Sequence, residues 1–220
     1  MTTKKIHVYL MPGMAAKSSI FKHIELPHDR FETHLLEWFV PSKGMSLEAY
    51  AKKMNSYIKH ADPVLIGVSF GGMLVQEMAK HIAVKKVVII SSVKLQSEMP
   101  KRLVFAKYTR FHKLLPTSLV NNLDLIAKYA FGETVTQRLE LYREYLFVKD
   151  IYYLDWSIDQ IVHWKQDQCD PRIVHIHGDK DVVFPIHHIK NCITVKNGTH
   201  TMIIHRYKWF NERLPAIILE

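Results

Sequence analysis

The chain has 220 residues, 48% of them hydrophobic, with 30 Lys and Arg against 21 Asp and Glu for a formal net charge of +9. That length and apolar content suit one large globular domain, or a domain with an inserted subdomain. Its two cysteines, Cys169 and Cys192, exclude a disulfide framework and have neither C-x-x-C nor zinc-ligand spacing, so a reducing cytoplasm is the expected compartment.

At the N-terminus Lys4 and Lys5 precede the apolar run Ile6 to Met11, an arrangement like a secretory signal. The run contains His7 and stops at Pro12-Gly13, too short for a signal h-region. No stretch approaches the roughly 20 apolar residues of a membrane span, so a soluble protein without stable membrane insertion is expected.

Short apolar runs at 5–10, 33–38, 63–68, 86–91, 172–177 and 192–195 read as strands. Between them, Leu47, Tyr50, Ala51, Met54 and Ile58 recur at helical spacing behind the capping candidate Ser46. Residues 70–82 read as a helix packed beside the third strand, and 200–214 as a closing helix. Strands alternating with helices predict a parallel sheet with crossover helices. Residues 94–166 interrupt the alternation with helical stripes such as Val135, Leu139, Tyr142 and Leu146 and many aromatics, and read as an inserted helical cap. The expected organisation is therefore a core of 1–93 and 167–220 with a cap at 94–166.

The positive charge is mostly scattered, as at Lys52-Lys53 and Lys85-Lys86, and with no recognisable motif nucleic acid is not an expected partner. From Lys94 to Lys113 it is denser: Lys101, Arg102, Lys107, Arg110 and Lys113 face one acid, Glu98. This stretch reads either as a basic amphipathic helix touching anionic lipid or substrate, or as an ordinary surface helix.

The chemistry is concentrated in three segments. Gly67-Val68-Ser69-Phe70-Gly71-Gly72 follows the buried run Pro63 to Ile66 and has the form of a nucleophile elbow. In that turn Ser69 projects its hydroxyl from between strand and helix, while Gly67 and Gly71 let the backbones pass closely. A serine hydroxyl is a poor nucleophile at neutral pH and needs a base and an orienting acid. Asp181 lies in His177-Gly178-Asp179-Lys180-Asp181, at the carboxyl end of a strand, with Asp179 as the alternative acid. His200 ends the loop Asn197-Gly198-Thr199-His200 at the same sheet edge, with His205 as the rival base. His175 and His177 share a strand face and His187-His188 follow, but no carboxylate or Cys is spaced to complete a metal site, so neither metal nor cofactor is expected.

The elbow, the H-G-x-x-D-x-x-x-P segment ending at Pro185 and the G-x-H segment, in the order Ser69, Asp181, His200, resemble the α/β-hydrolase fold superfamily across essentially the whole chain. The resemblance implies a mostly parallel sheet of about six strands flanked by helices, lacking the two N-terminal antiparallel edge strands, with the helical cap after the fourth strand of this chain. It also implies an oxyanion hole from the backbone amides of Met14 and Phe70, although Met11-Pro12-Gly13-Met14 stands where the family often has His-Gly. The implied activity is a serine hydrolase acting through an acyl-enzyme on a small or medium carboxylic ester or thioester, its partner a small-molecule acyl substrate. The same residues would serve a carbon–carbon hydrolase, a lyase or an acyltransferase. A small-ligand-binding protein with an idle triad is the non-enzymatic alternative.

Overall fold

Consecutive apolar residues mark strands covered on both faces. Six strands, the central ones of this kind, form a single all-parallel sheet in the computed structural model, which describes residues 5–101, 103 and 150–220. They are β1 (Ile6–Met11), β2 (Phe31–Leu35), β3 (Val64–Val68), β4 (Lys86–Ile90), β5 (Ile173–Gly178) and β6 (Ile193–Val195). Their spatial order is β2-β1-β3-β4-β5-β6. The chain grows outward from β1 to β2, then crosses back to add β3 on the other side of β1. The direction of growth thus reverses between β1 and β3, and in open α/β sheets the crevice beyond the carboxyl ends of the strands at such a switch is where ligands bind.

The described helices are α1 (Leu47–Asn55), α2 (Phe70–Ala79), α3 (Ile151–His163), α4 (Met202–His205) and α5 (Tyr207–Leu219). Alternate residues of each strand face opposite sides. Tyr9, Met11, Leu65, Val87 and Ile89 pack with α1 and α2, while Val8, Leu10, Ile66, Val88, Ile90 and Ile176 pack with α4 and α5. Ser46 caps α1 by accepting the Ala49 N–H at 3.1 Å, and Glu48 pairs with Lys52 one turn on.

Several boundaries differ from the sequence reading, two of them for a clear physical reason. The second strand spans 31–35 rather than 33–38, because the apolar residues that extend the run, Leu36 and Trp38, bury their side chains from the loop beyond the strand. The closing helix runs through Pro215 to Leu219 instead of stopping at Leu214. Burial of Ile217 and Ile218 against the sheet, with Lys86 Nζ donating to the Ile217 carbonyl at 2.7 Å, outweighs the proline's missing donor.

Residues 102 and 104–149, most of the expected cap together with Arg102, Lys107, Arg110 and Lys113 of its basic stretch, lie outside the described residues. The end of that segment is described. Through α3 it places Tyr153, Leu154 and Trp156 in the same core as Tyr50 and Phe70. Lys94 is buried instead of surface-exposed: its Nζ lies 3.3 Å from Glu98 Oε1 and also donates to the Lys190 and Asn191 carbonyls. Glu98 in turn accepts the amides of Lys94 and Lys190, tying the exit of β4 to the loop before β6. Among the described residues no helix is long and apolar enough to cross a membrane.

Candidate active site

Ser69 occupies the N-cap position of α2 with φ 54° and ψ −120°, a conformation L-residues rarely adopt. Its side chain makes no capping bond, which leaves the hydroxyl to point outward. The backbone is over-determined around it: Ser69 N donates to the Ile90 carbonyl at 2.9 Å, and the Ser69 carbonyl accepts the Gly72 amide and the Ser92 hydroxyl. Such strain costs about 1–3 kcal/mol and persists where its surroundings enforce it. The elbow glycines are required by proximity. A Cβ at Gly67 would strike the Gly71 carbonyl, and one at Gly71 would strike the Pro12 carbonyl oxygen and lie 2.7 Å from that of Met11.

Two loops at the carboxyl edge bring up the other groups. After β5 the chain turns so that Asp181 Oδ1 accepts the Val183 and Phe184 amides at 2.8 and 2.9 Å. After β6 the loop carrying His200 is tied to it by Lys180 N donating to the Gly198 carbonyl at 2.9 Å. Gly178 and Gly198 touch so closely there that a side chain on Gly178 would overlap the other's backbone. The loops hold each other in register, which fixes the acid against the imidazole.

The result is a hydrogen-bonded chain of three side chains. His200 Nε2 lies 2.9 Å from Ser69 Oγ, and His200 Nδ1 lies 2.9 Å from Asp181 Oδ2. The Asp181 side chain is fully buried and that of His200 is one-tenth exposed. Burial by itself would raise the Asp181 carboxyl. The neighbouring His200, its hydrogen bond, the Phe184 amide and His177 outweigh that and hold it below the ordinary carboxylate value. Asp181 therefore remains ionised and fixes the imidazole with Nδ1–H toward it and Nε2 toward the serine.

The alternatives fall elsewhere: His205 closes α4, and it is Asp181, rather than Asp179, that meets His200. His177 Nε2 donates to the Phe184 carbonyl at 2.8 Å and its Nδ1 lies 3.1 Å from His175 Nε2, so this pair supports the acid loop from below.

The loop after β1 runs against the serine, since a side chain at Gly13 would meet Ser69 Cβ at 3.4 Å. Met14 follows Gly13 in that loop, and Phe70 opens α2 directly after Ser69. Three contributors had no motif to mark them. The Trp38 indole N–H donates to the Gly13 carbonyl at 2.8 Å, and its ring stacks on Phe70 with centroids 5.0 Å apart. The Tyr153 hydroxyl, buried on α3, accepts the Ala15 amide at 3.5 Å. Phe184 packs beside His200 at 5.6 Å between ring centroids. The signal that could have found Trp38 is its polar handle: a buried indole N–H needs an acceptor.

No protein-family model and no curated protein matches the chain. Solved structures do. A bromoperoxidase from Bacillus anthracis superimposes with a TM-score of 0.68 at 17% identity, covering 98% of this chain and 92% of that one. An esterase from Exiguobacterium antarcticum gives 0.65 at 16% identity, covering 100% and 94%. A lipase-esterase related protein from Clostridium acetobutylicum gives 0.65 at 19% identity, covering 98% and 96%. The chain has the α/β-hydrolase fold, with a six-stranded parallel sheet flanked by helices.

Proposed function

We propose that the protein is a serine hydrolase that cleaves a small or medium carboxylic ester or thioester through Ser69, His200 and Asp181. The observation that carries this is the unbroken chain of 2.9 Å contacts from Ser69 Oγ through His200 to a buried, ionised Asp181. His200 Nε2 takes the Ser69 proton as Oγ attacks the carbonyl carbon, and Asp181 stabilises the imidazolium. The amides of Met14 and Phe70 receive the developing oxyanion, each donor worth roughly 3 kcal/mol of barrier. Collapse of the tetrahedral intermediate expels the alcohol or thiol, which takes the proton from His200, and leaves an acyl-Ser69. Water, deprotonated by His200, attacks that ester and releases the acid. Esterases and a lipase-related protein among the structural neighbours support a hydrolase of this type.

A fluorophosphonate probe is expected to label the wild-type protein and not Ser69→Ala, and a panel of p-nitrophenyl esters of increasing acyl length should show turnover that falls at least about 10³-fold in that variant. Failure of the folded wild type to label would overturn the proposal. Labelling without turnover of any ester would transfer the same residues to carbon–carbon cleavage or acyl transfer.

A further inference from the structure

Away from Ser69, the sheet gathers three histidines. β1 and β2 pair in parallel with His7 opposite Glu32 and Tyr9 opposite His34. Residues opposite one another in register project to the same face, so His7, Tyr9, Glu32 and His34 share one side of the sheet. His60, in the loop entering β3, folds over that side and stacks on both His7 (centroids 3.5 Å apart) and His34 (4.8 Å). His7 Nδ1 lies 3.1 Å from His34 Nε2, and one ring nitrogen from each of the three lies within 4.8 Å of the others. Glu32 sets its carboxylate oxygens 3.7 Å from His7 Nδ1 and 3.9 Å from His34 Nε2.

We propose that His7, His34 and His60, with Glu32 at their edge, form a binding site for a divalent first-row transition-metal ion, for which zinc is the natural probe. Nitrogen ligands of a tetrahedral zinc, with bonds of about 2.0–2.1 Å, lie roughly 3.3–3.4 Å apart, close to the His7–His34 separation. Three imidazoles are a donor set suited to zinc, nickel or copper and poorly suited to magnesium or calcium. The outer contacts are those of a supported site. The Tyr9 hydroxyl accepts the Lys59 amide at 2.9 Å and sits 2.7 Å from His60 Nδ1, fixing that ring. A cavity of about 500 Å³, lined by Tyr9, His34, Trp38, Tyr57 and His60 among others, gives the cluster a path to solvent.

The ion would join edge strand β2, strand β1 and the loop entering β3. His7 precedes Met11 by four residues, roughly 13 Å at strand rise, so the ion acts as a clip on the edge of the sheet and has no part in the chemistry at Ser69. Spacing motifs do not reveal such a site, because residues 7, 34 and 60 meet only through strand pairing.

Titrating the tag-free, chelator-treated protein with Zn²⁺ by calorimetry tests it, with Co²⁺ absorption reporting the coordination. One equivalent is expected to bind, with intense visible Co²⁺ bands and a rise in thermal midpoint. His34→Asn and His60→Asn should each weaken Zn²⁺ binding at least ten-fold, and Glu32→Gln should do so by a smaller factor. Ser69→Ala should bind as the wild type does, which separates this site from the proposed hydrolysis. The thermal midpoint without metal shows whether each variant is folded, and His60, being in a loop, gives the least perturbing variant. Binding of Zn²⁺ by folded His60→Asn and His34→Asn at wild-type affinity, or no saturable binding by wild type, would overturn the assignment.

Discussion

Trp38 makes two contacts that bracket the proposed oxyanion pocket. Its indole N–H donates to the Gly13 carbonyl at 2.8 Å, one residue before Met14, and its ring lies within 4° of parallel to Phe70, one residue after Ser69. Both proposed donors are thus indexed to one side chain. Trp38→Phe keeps an aromatic ring on Phe70 and deletes the hydrogen bond. The loss of one buried bond of about 1.4 kcal/mol, expressed in the transition state, should lower kcat on an ester substrate about ten-fold with KM little changed. An unaltered kcat would show that Gly13 is held by its remaining contact, the Ala16 amide at 3.1 Å. At this scale the sequence was uneven. Ser69, Asp181 and His200 were legible because each sits in a short pattern whose glycines are tied to local geometry. Trp38 reads from sequence as the tail of a strand, since an apolar run does not reveal where pairing with β1 ceases and a loop begins.

Elements meet most tightly where α2 leaves β3 beside the end of β1. Gly71 faces the Pro12 and Met11 carbonyls so closely that an added methyl could be housed only by moving α2 away from the sheet. All ten residues of α2 are buried, which leaves it no slack to move. Gly71→Ala should therefore cost about 3 kcal/mol or more, read as a fall in the urea midpoint of the purified protein. A variant as stable as the wild type would mean that the turn relaxes. Most elements were foreseen to within a residue or three of their ends, including the Ser46 cap, because the two faces of each strand and the buried stripe of each helix are periodic in the sequence. The closing helix was cut short at Pro215, where a local rule against proline loses to the burial of Ile217 and Ile218.

Across the whole molecule, the support beneath the acid loop couples stability to pH. His175 is 2% exposed, and burial, with smaller contributions from His177 and Lys94, pushes its imidazole down to about 2. Above about pH 6.5 the ring is neutral in both native and unfolded chains and contributes no pH dependence. Below that value the unfolded chain binds a proton that the native state refuses, so stability falls as pH falls, by about 1.4 kcal/mol per unit. Between pH 7 and pH 5 this one residue should cost about 2 kcal/mol, measured as a lower unfolding free energy in urea. His175→Gln should flatten that part of the profile, and an equal slope in both proteins would refute it. Asp181, whose carboxyl is held below its ordinary 3.8, keeps its contribution throughout this window and does not mask the effect.

The sequence by itself determined the parallel α/β architecture, the Gly67–Gly72 turn and the chain order of Ser69, Asp181 and His200. Those features rest on local periodicity and on turn residues whose backbone demands are written in neighbouring positions. Only the tertiary structure decided which atoms meet: His200 between Ser69 and Asp181, Trp38 on Gly13 and Phe70, and three histidines from positions 7, 34 and 60 around one point. The reason is physical. Strand pairing and loop closure bring together residues separated by tens of positions, and no local pattern encodes the register that places one side chain opposite another.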